Sequence, residues 1–272
     1  MPERAEVPAA GRRLALGIAY RGLGYHGWQS QPDGQTLQDR VEAALSAFAN
    51  CPVSTTCAGR TDAGVHALNQ VVHVDAPVER SAVSWLRGTN RYLPNDIALQ
   101  WCRPVADDFH ARFSAVGRRY RYKLLESPVR PALETGLVGW VFRPLDGDAM
   151  RQAAVALLGE HDFTSFRSAA CQARSPVKQL RRIDIVCHGA YWHFDFDGSA
   201  FLHHMVRNIM GCLLAVGQGA RPAAWMREVL AARNRDAAAP TFDAAGLYFA
   251  GPYYDARHAV PQHTAAFEWL VA

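Results

Sequence analysis

Hydrophobic and polar residues along this chain follow two periods, and the changes between them mark its elements. Leu14 to Tyr20 reads as a strand. Thr36 to Phe48 shifts to a helical period, with Leu37, Val41, Ala44, Leu45 and Phe48 on one stripe, Thr36 as N-cap and Asp39 in the first turn. Strands near 53–59 and 68–75, a helix near 81–91 and a strand near 97–103 follow. That order, β-α-β-β-α-β, predicts a ferredoxin-like unit. The second half echoes it, with a strand near 118–125 and a helix from Asp148 to Leu158 closed by Gly159. Strands near 180–187 and 190–197, a helix from Phe201 to Val216 and a late strand at Leu247 to Phe249 complete it.

The expected fold class is therefore α+β: two ferredoxin-like subdomains with mainly antiparallel sheets. Residues 1–12 read as a flexible tail, 13–105 as the N-terminal subdomain and 106–272 as the C-terminal one. A chain of 272 residues, 49% of them hydrophobic, supports two domains with a sizeable core. No apolar run approaches the roughly 18 residues of a membrane span, and Glu3 and Glu6 stand where a secretory leader would be apolar, so a cytoplasmic protein is expected. The six cysteines form no CxxC pair, which points to reduced structural thiols and no metal site. Cys187-His188 with His193 reads as a hairpin.

The net charge of +4 permits a nucleic-acid partner without requiring one. Only Lys123 and Lys178 are lysines among the 29 basic side chains. Arginine suits phosphate contacts and stacking on bases, although such a bias also follows from genome composition.

Candidate chemistry concentrates in Gly59-Arg60-Thr61-Asp62-Ala63-Gly64-Val65-His66-Ala67, where glycines bracket a carboxylate in a short turn between strands. Two readings of Asp62 stand at this level: an Asx-turn with Arg60 as a surface partner, or a presented catalytic carboxylate. Gly22-Leu23-Gly24-Tyr25-His26-Gly27 matches G-x-G-x-x-G, but a loop follows it in place of the helix that would receive a pyrophosphate, so a dinucleotide site is rejected. In Arg118 to Lys123, period two puts Arg118, Tyr120 and Tyr122 on one face and Arg119, Arg121 and Lys123 on the other. Tyr122 is the better candidate for the core. On the helix from Phe201, Arg207 sits at the margin of a buried stripe, where its charge needs a partner.

The Gly59–Ala67 string resembles the signature of the tRNA pseudouridine synthase A family. Similar blocks follow in order from Leu14 to about Asp255: Tyr25-His26-Gly27-Trp28-Gln29, Asp108-Phe109-His110-Ala111-Arg112-Phe113-Ser114, Arg118-Arg119-Tyr120-Arg121-Tyr122, Phe163-Thr164-Ser165-Phe166-Arg167, His203-His204-Met205-Val206-Arg207-Asn208 and Gly246-Leu247-Tyr248. Arg21 departs from the pattern, standing where the family commonly has an acidic residue.

The resemblance implies an isomerase that converts uridine to pseudouridine in the anticodon arm of tRNA, at positions 38 to 40. It implies no cofactor and no metal, a homodimer, and an active site in the cleft between the subdomains. It assigns Asp62 as the catalytic carboxylate, acting as nucleophile or as general base at the ribose, and Arg207 as its charge partner. Tyr120 is implied to stack on the target base, and Arg60 to contact the substrate RNA. Candidate tRNA contacts are Arg80, Phe109, His110, Arg112, Phe113, Arg130, Arg167 and Arg174, with Lys178 beside them. A non-catalytic RNA-binding module is the alternative. It would account for the arginines and aromatics but not for the glycine-bracketed Asp62.

Overall fold

A computed structural model describes residues 13–261, so the tail expected over 1–12 lies outside the described residues. Within them, one compact unit comprises residues 13–116 with 250–261, and the other is Gly117–Phe249.

In the first unit, β1 (Arg13–Tyr20), α1 (Leu37–Ala49), β2 (Thr56–Cys57), β3 (His66–Asp75), α2 (Ala82–Asn90) and β4 (Ile97–Pro104) follow the predicted order. The sheet order is β4-β1-β3-β2, antiparallel throughout. Thr36 caps α1 in a full capping box with Asp39, the arrangement that satisfies orphan amides at both ends of the motif. The strand expected at 53–59 shrinks to Thr56–Cys57 because the preceding residues bond to the helix instead. Val53 N–H donates to Ser46 Oγ (2.9 Å), and Thr55 gives both its N–H and its hydroxyl to Glu42 Oε1 (2.7 and 2.9 Å).

This unit is wider than the predicted 13–105, and its core shows why. Ala15, Val71 and Trp101 of the sheet pack with Phe109, Ala111, Tyr254 and Val260, so the segment after β4 and the chain's late return cover one sheet face. Gly17 is required there because a Cβ would lie 2.1 Å from the Trp101 ring. His73 Nδ1 accepts the Ala111 N–H at 3.1 Å, and the Tyr254 hydroxyl donates to Ala111 O at 2.7 Å.

In the second unit, β5 (Ala115–Glu126), whose first two residues belong to the first unit, leads to β6 (Gly139–Val141), α3 (Gly147–Val155) and β7 (Gly159–Asp162). Next come β8 (Val177–His188), β9 (Tyr191–Gly198), α4 (Met205–Gly217) and α5 (Trp225–Ala232). The strand order is β6-β5-β9-β8-β7, antiparallel except for β5 with β6. Cys187-His188 and His193 lie in the β8–β9 hairpin, turned at Gly189 with φ +61°. β10 (Leu247–Tyr254) carries the chain back into the first unit.

Two helix ends differ from expectation for local reasons. After Val155 the amides of Ala156, Leu157 and Leu158 bond three residues back, so α3 tightens and stops short of Leu158. α4 starts at Met205, not Phe201, because His203 uses its carbonyl for Ser168 N–H (3.0 Å) and its amide for Cys171 Sγ (3.4 Å). His204 then adopts a left-handed φ of +63° at the N-cap. No helix among the described residues is long and apolar enough to cross a membrane.

Two buried histidines make stability depend on pH. Burial lowers His73 to about 4, helped by the Arg13 charge, and burial lowers His193 to about 4 beside Lys123 and Arg121. Their unfolded values lie near 6.5, so between those pH values the unfolded chain binds the extra protons. Their contribution to stability is therefore fully present above pH 6.5 and is lost as pH falls toward 4. Urea unfolding across that range should show a falling midpoint, and His73→Asn should flatten the dependence.

Candidate active site

The Asp62 loop is built from backbone outward. Val65 N–H donates to Asp62 O at 3.1 Å, and Gly64 takes φ +80° at the third position of that turn, where a type II turn demands a positive φ. Asp62 is half-buried and Arg60 is exposed at the loop's edge. Gln70, fully buried in β3, donates through Nε2 to Gly59 O at 2.6 Å. The Tyr20 hydroxyl, at the end of β1, bonds Thr61 Oγ1 at 2.8 Å inside the unit.

The rejected G-x-G-x-x-G segment lies directly behind this loop. Trp28 N–H donates to Thr61 O at 3.0 Å. Gly27 has φ +83°, and a Cβ there would fall 2.8 Å from Thr61 O and 3.2 Å from Ala63 N. A Cβ on Gly22 would meet Val65 O at 2.0 Å, while Gly22 N–H donates to His66 Nδ1 at 3.2 Å, which puts the neutral ring's proton on Nε2. The segment is itself anchored. The Gly27 and Trp28 carbonyls accept the first amides of α1, from Leu37 and Gln38, at 3.0 Å each. The Tyr25 hydroxyl donates to Asp96 at 2.7 Å, and burial together with that bond raises it to about 12. Burial also pushes the neighbouring Cys57 thiol up to about 11 against the pull of Arg60, so it is no thiolate nucleophile near neutral pH. Gly27 and Trp28 stand within one of the sequence blocks, but their role behind the loop, like those of Tyr20, Thr61 and Gln70, leaves no local pattern. Alternation alone does not say which strand residues reach a loop.

In the second unit, Tyr120 is half-buried, with its ring against Phe201 at 4.9 Å and Phe249 at 5.0 Å. Tyr122 is fully buried as expected, its hydroxyl directed at the carbonyls of Asp243 and Ala245. The basic face of β5 is partly spent. Arg121 makes two bonds of 2.7 Å to Asp195, and burial lowers the Lys123 ammonium from its ordinary value. Arg207 is half-buried on α4, where its Nε donates to Phe242 O at 2.9 Å and its own carbonyl accepts Phe242 N–H at 3.1 Å. One turn on, Gly211 leaves room for Pro240 O, which a Cβ would meet at 2.2 Å.

The eight expected tRNA contacts divide. Phe109 is a correction: it is wholly buried against Tyr254 and His258, so its ring packs the core and does not face RNA. His110 is half-buried, with Nδ1 accepting the amides of Arg112 and Phe113 at 3.2 Å each. Burial lowers its pKa, in step with that acceptor role. The turn so formed projects Phe113, 76% exposed, with Arg112 over its ring at 5.7 Å. Arg80 is exposed over the Phe48 ring at 4.4 Å. Arg130 and Arg174 are exposed. Arg167 staples its own loop, donating to the carbonyls of Cys171 (2.6 Å) and Ala173 (2.9 Å), and Lys178 likewise bonds Ser175 O and Val177 O.

A family model described as tRNA pseudouridine synthase matches residues 18–114 and 153–255. The chain is 70% identical over 258 residues to the tRNA pseudouridine synthase A of Methylibium petroleiphilum, covering 95% of this chain and 99% of that one. It is 63% identical over 262 residues to the enzyme of the same name from Polaromonas naphthalenivorans, with the same coverage.

The mount behind Asp62 gives a direct expectation. Gly27→Ala places a side chain at positive φ and against the Thr61–Ala63 backbone. It should destabilise the protein by about 1–3 kcal/mol, measured by urea unfolding. Gly24→Ala, with open space around its α-carbon, should have little effect.

Proposed function

This chain belongs to the tRNA pseudouridine synthase family and isomerises uridine to pseudouridine in tRNA, and we propose that Asp62 is the carboxylate that carries the reaction. The observation behind this is the mount. A half-buried acidic side chain stands on a turn whose neighbours at Gly59, Thr61 and Val65 are each fixed by a hydrogen bond from elsewhere in the unit or from the turn itself. An Asx-turn on a surface needs no such support.

The reaction rearranges one nucleoside without gain or loss of atoms. The bond from N1 to the ribose C1′ breaks, the base turns, C5 bonds to C1′, and the hydrogen leaving C5 is balanced by one taken up at N1. Asp62 serves as nucleophile at the ribose or base, or as general base at the ribose 2′ carbon. Arg207, held on α4 by Phe242, is the cation proposed to keep that carboxylate ionised. Tyr120, with Phe201 and Phe249 behind its ring, is proposed to stack on the extruded uracil. Flipping costs a few kcal/mol of unstacking, which stacking and phosphate contacts offset. Arg60, exposed beside the loop, contacts the RNA in this reading, with Arg80, Arg112, Phe113, Arg130 and Arg174 along its path.

Further parts of the reading rest on the family resemblance: a target in the anticodon arm at positions 38 to 40, a homodimer, and action in the cytoplasm without cofactor. The β-α-β-β-α-β order and the β4-β1-β3-β2 sheet of the first unit support a ferredoxin-like description of that unit, and the resemblance extends the same description to the second.

The test uses unmodified tRNA carrying tritium at C5 of uridine, with a chelator present. Wild type should release tritium into water. Asp62→Ala should release none while binding tRNA within a few-fold of wild type, and Arg207→Ala should slow release by 10²-fold or more, the scale of lost preorganised charge. Full release by Asp62→Ala, or loss of tRNA binding with the fold intact, would overturn the assignment. Mapping the product by mass spectrometry should find pseudouridine at positions 38 to 40.

A further inference from the structure

We propose that Tyr20 is a positioning residue for Asp62, acting through the buried hydrogen bond between its hydroxyl and Thr61 Oγ1; this rests on the catalytic reading of Asp62. Three observations carry it. The bond joins two side chains closed to solvent, Tyr20 at 5% and Thr61 at 6% exposure, at 2.8 Å, so water cannot replace either partner. Thr61 adjoins Asp62, and its carbonyl is separately fixed by Trp28 N–H at 3.0 Å. With both side chain and carbonyl held, the peptide that carries the Asp62 α-carbon cannot rotate without breaking one of them.

The sheet is irregular at this point. Ile18 pairs with Gln70 and Tyr20 with Ala67, so β3 holds one residue more than the β1 segment it faces. On the other side Gly17 pairs with Trp101 and Ile18 with Leu99, so β4 carries an extra residue as well. Bulges on both flanks add twist where β1 ends and re-aim the side chains they carry. Here the side chain at the end of β1 is Tyr20, and it reaches the loop. The ring also rests on the buried Trp28, with centroids 5.8 Å apart, so one aromatic pair spans β1 and the segment behind Asp62. A tyrosine meant only to fill the core would not need its hydroxyl on the residue before the carboxylate.

Misplacing a reacting group by about 1 Å costs on the order of 10²-fold in rate, and losing one of several restraints costs less. Single-turnover pseudouridine formation, tRNA binding and thermal unfolding are measured for Tyr20→Phe, Thr61→Val, the double variant and Asp62→Asn. Tyr20→Phe should slow the chemical step about tenfold, with tRNA affinity within about twofold and the fold intact. Thr61→Val should match it, and the double variant should be no slower than either single variant, because one bond is lost in all three. Thr61→Ser, which keeps the hydroxyl, should lose less than Thr61→Val. Rates equal to wild type in Tyr20→Phe, or losses that multiply in the double variant, would overturn the proposal. An active Asp62→Asn would instead overturn the catalytic reading, whatever Tyr20 does.

Discussion

A carboxylate on a two-torsion side chain is aimed by the peptide it hangs from, and the close approach of two backbones behind Asp62 is the constraint on which the first unit depends. The chain from Gly22 to Trp28 lies against Thr61 to Val65 with no room for a Cβ at Gly22 or Gly27. The α1 N-terminus supplies the far anchor, since the orphan amides of Leu37 and Gln38 find the carbonyls of Gly27 and Trp28. Helix, loop and Asp62 turn thus form one hydrogen-bonded series. A dinucleotide fold places glycines to let a pyrophosphate approach the backbone. The same residue type does the same physical work here, but the approaching group is the protein's own peptide.

The second unit uses its charged side chains differently from what a count of arginines suggests. Arg121 is neutralised by Asp195, Arg167 closes a loop over Cys171 and Ala173, and Arg207 is tied to Phe242. Each guanidinium presents five donors, so one can secure the fold and still offer charge outward. Of the candidate RNA contacts in this unit, Arg130 and Arg174 lie on the surface, where phosphate recognition would be worth least in fold stability and most in affinity.

What the sequence disclosed divides along the reach of the interactions involved. Helix α1 with its Thr36 cap and the β8–β9 hairpin were legible because each is fixed by residues a few positions apart, and β1, β3 and β4 because their own apolar runs mark them. Partners distant in sequence hid the rest. Glu42 takes the amide of Thr55 and shortens β2; Ser168 and Cys171 take the backbone of His203 and delay α4; His73 and Tyr254 draw Ala111 into the first unit. Phe109 was misplaced for the same reason, its motif suggesting RNA and its surroundings making it core. Of the site, the Asp62 turn was visible from its glycines, whereas its supports from Tyr20 and Gln70 are products of sheet register, which no local pattern records.

The hydrogen bonds described around the Asp62 turn join uncharged groups. Tyrosine to threonine, glutamine amide to carbonyl, peptide to peptide and peptide to imidazole nitrogen all position without adding a formal charge. A lysine or arginine clamp would have fixed the loop equally well, but a full charge within a few ångström moves a carboxylate's pKa by units. In the proposed reading, neutral clamps therefore separate two requirements placed on Asp62. The backbone that carries the carboxylate is held by these neutral bonds within the first unit. Its ionisation belongs, in the proposed reading, to Arg207, so a substitution among the neutral clamps should change geometry without changing charge, and a substitution of Arg207 should do the reverse.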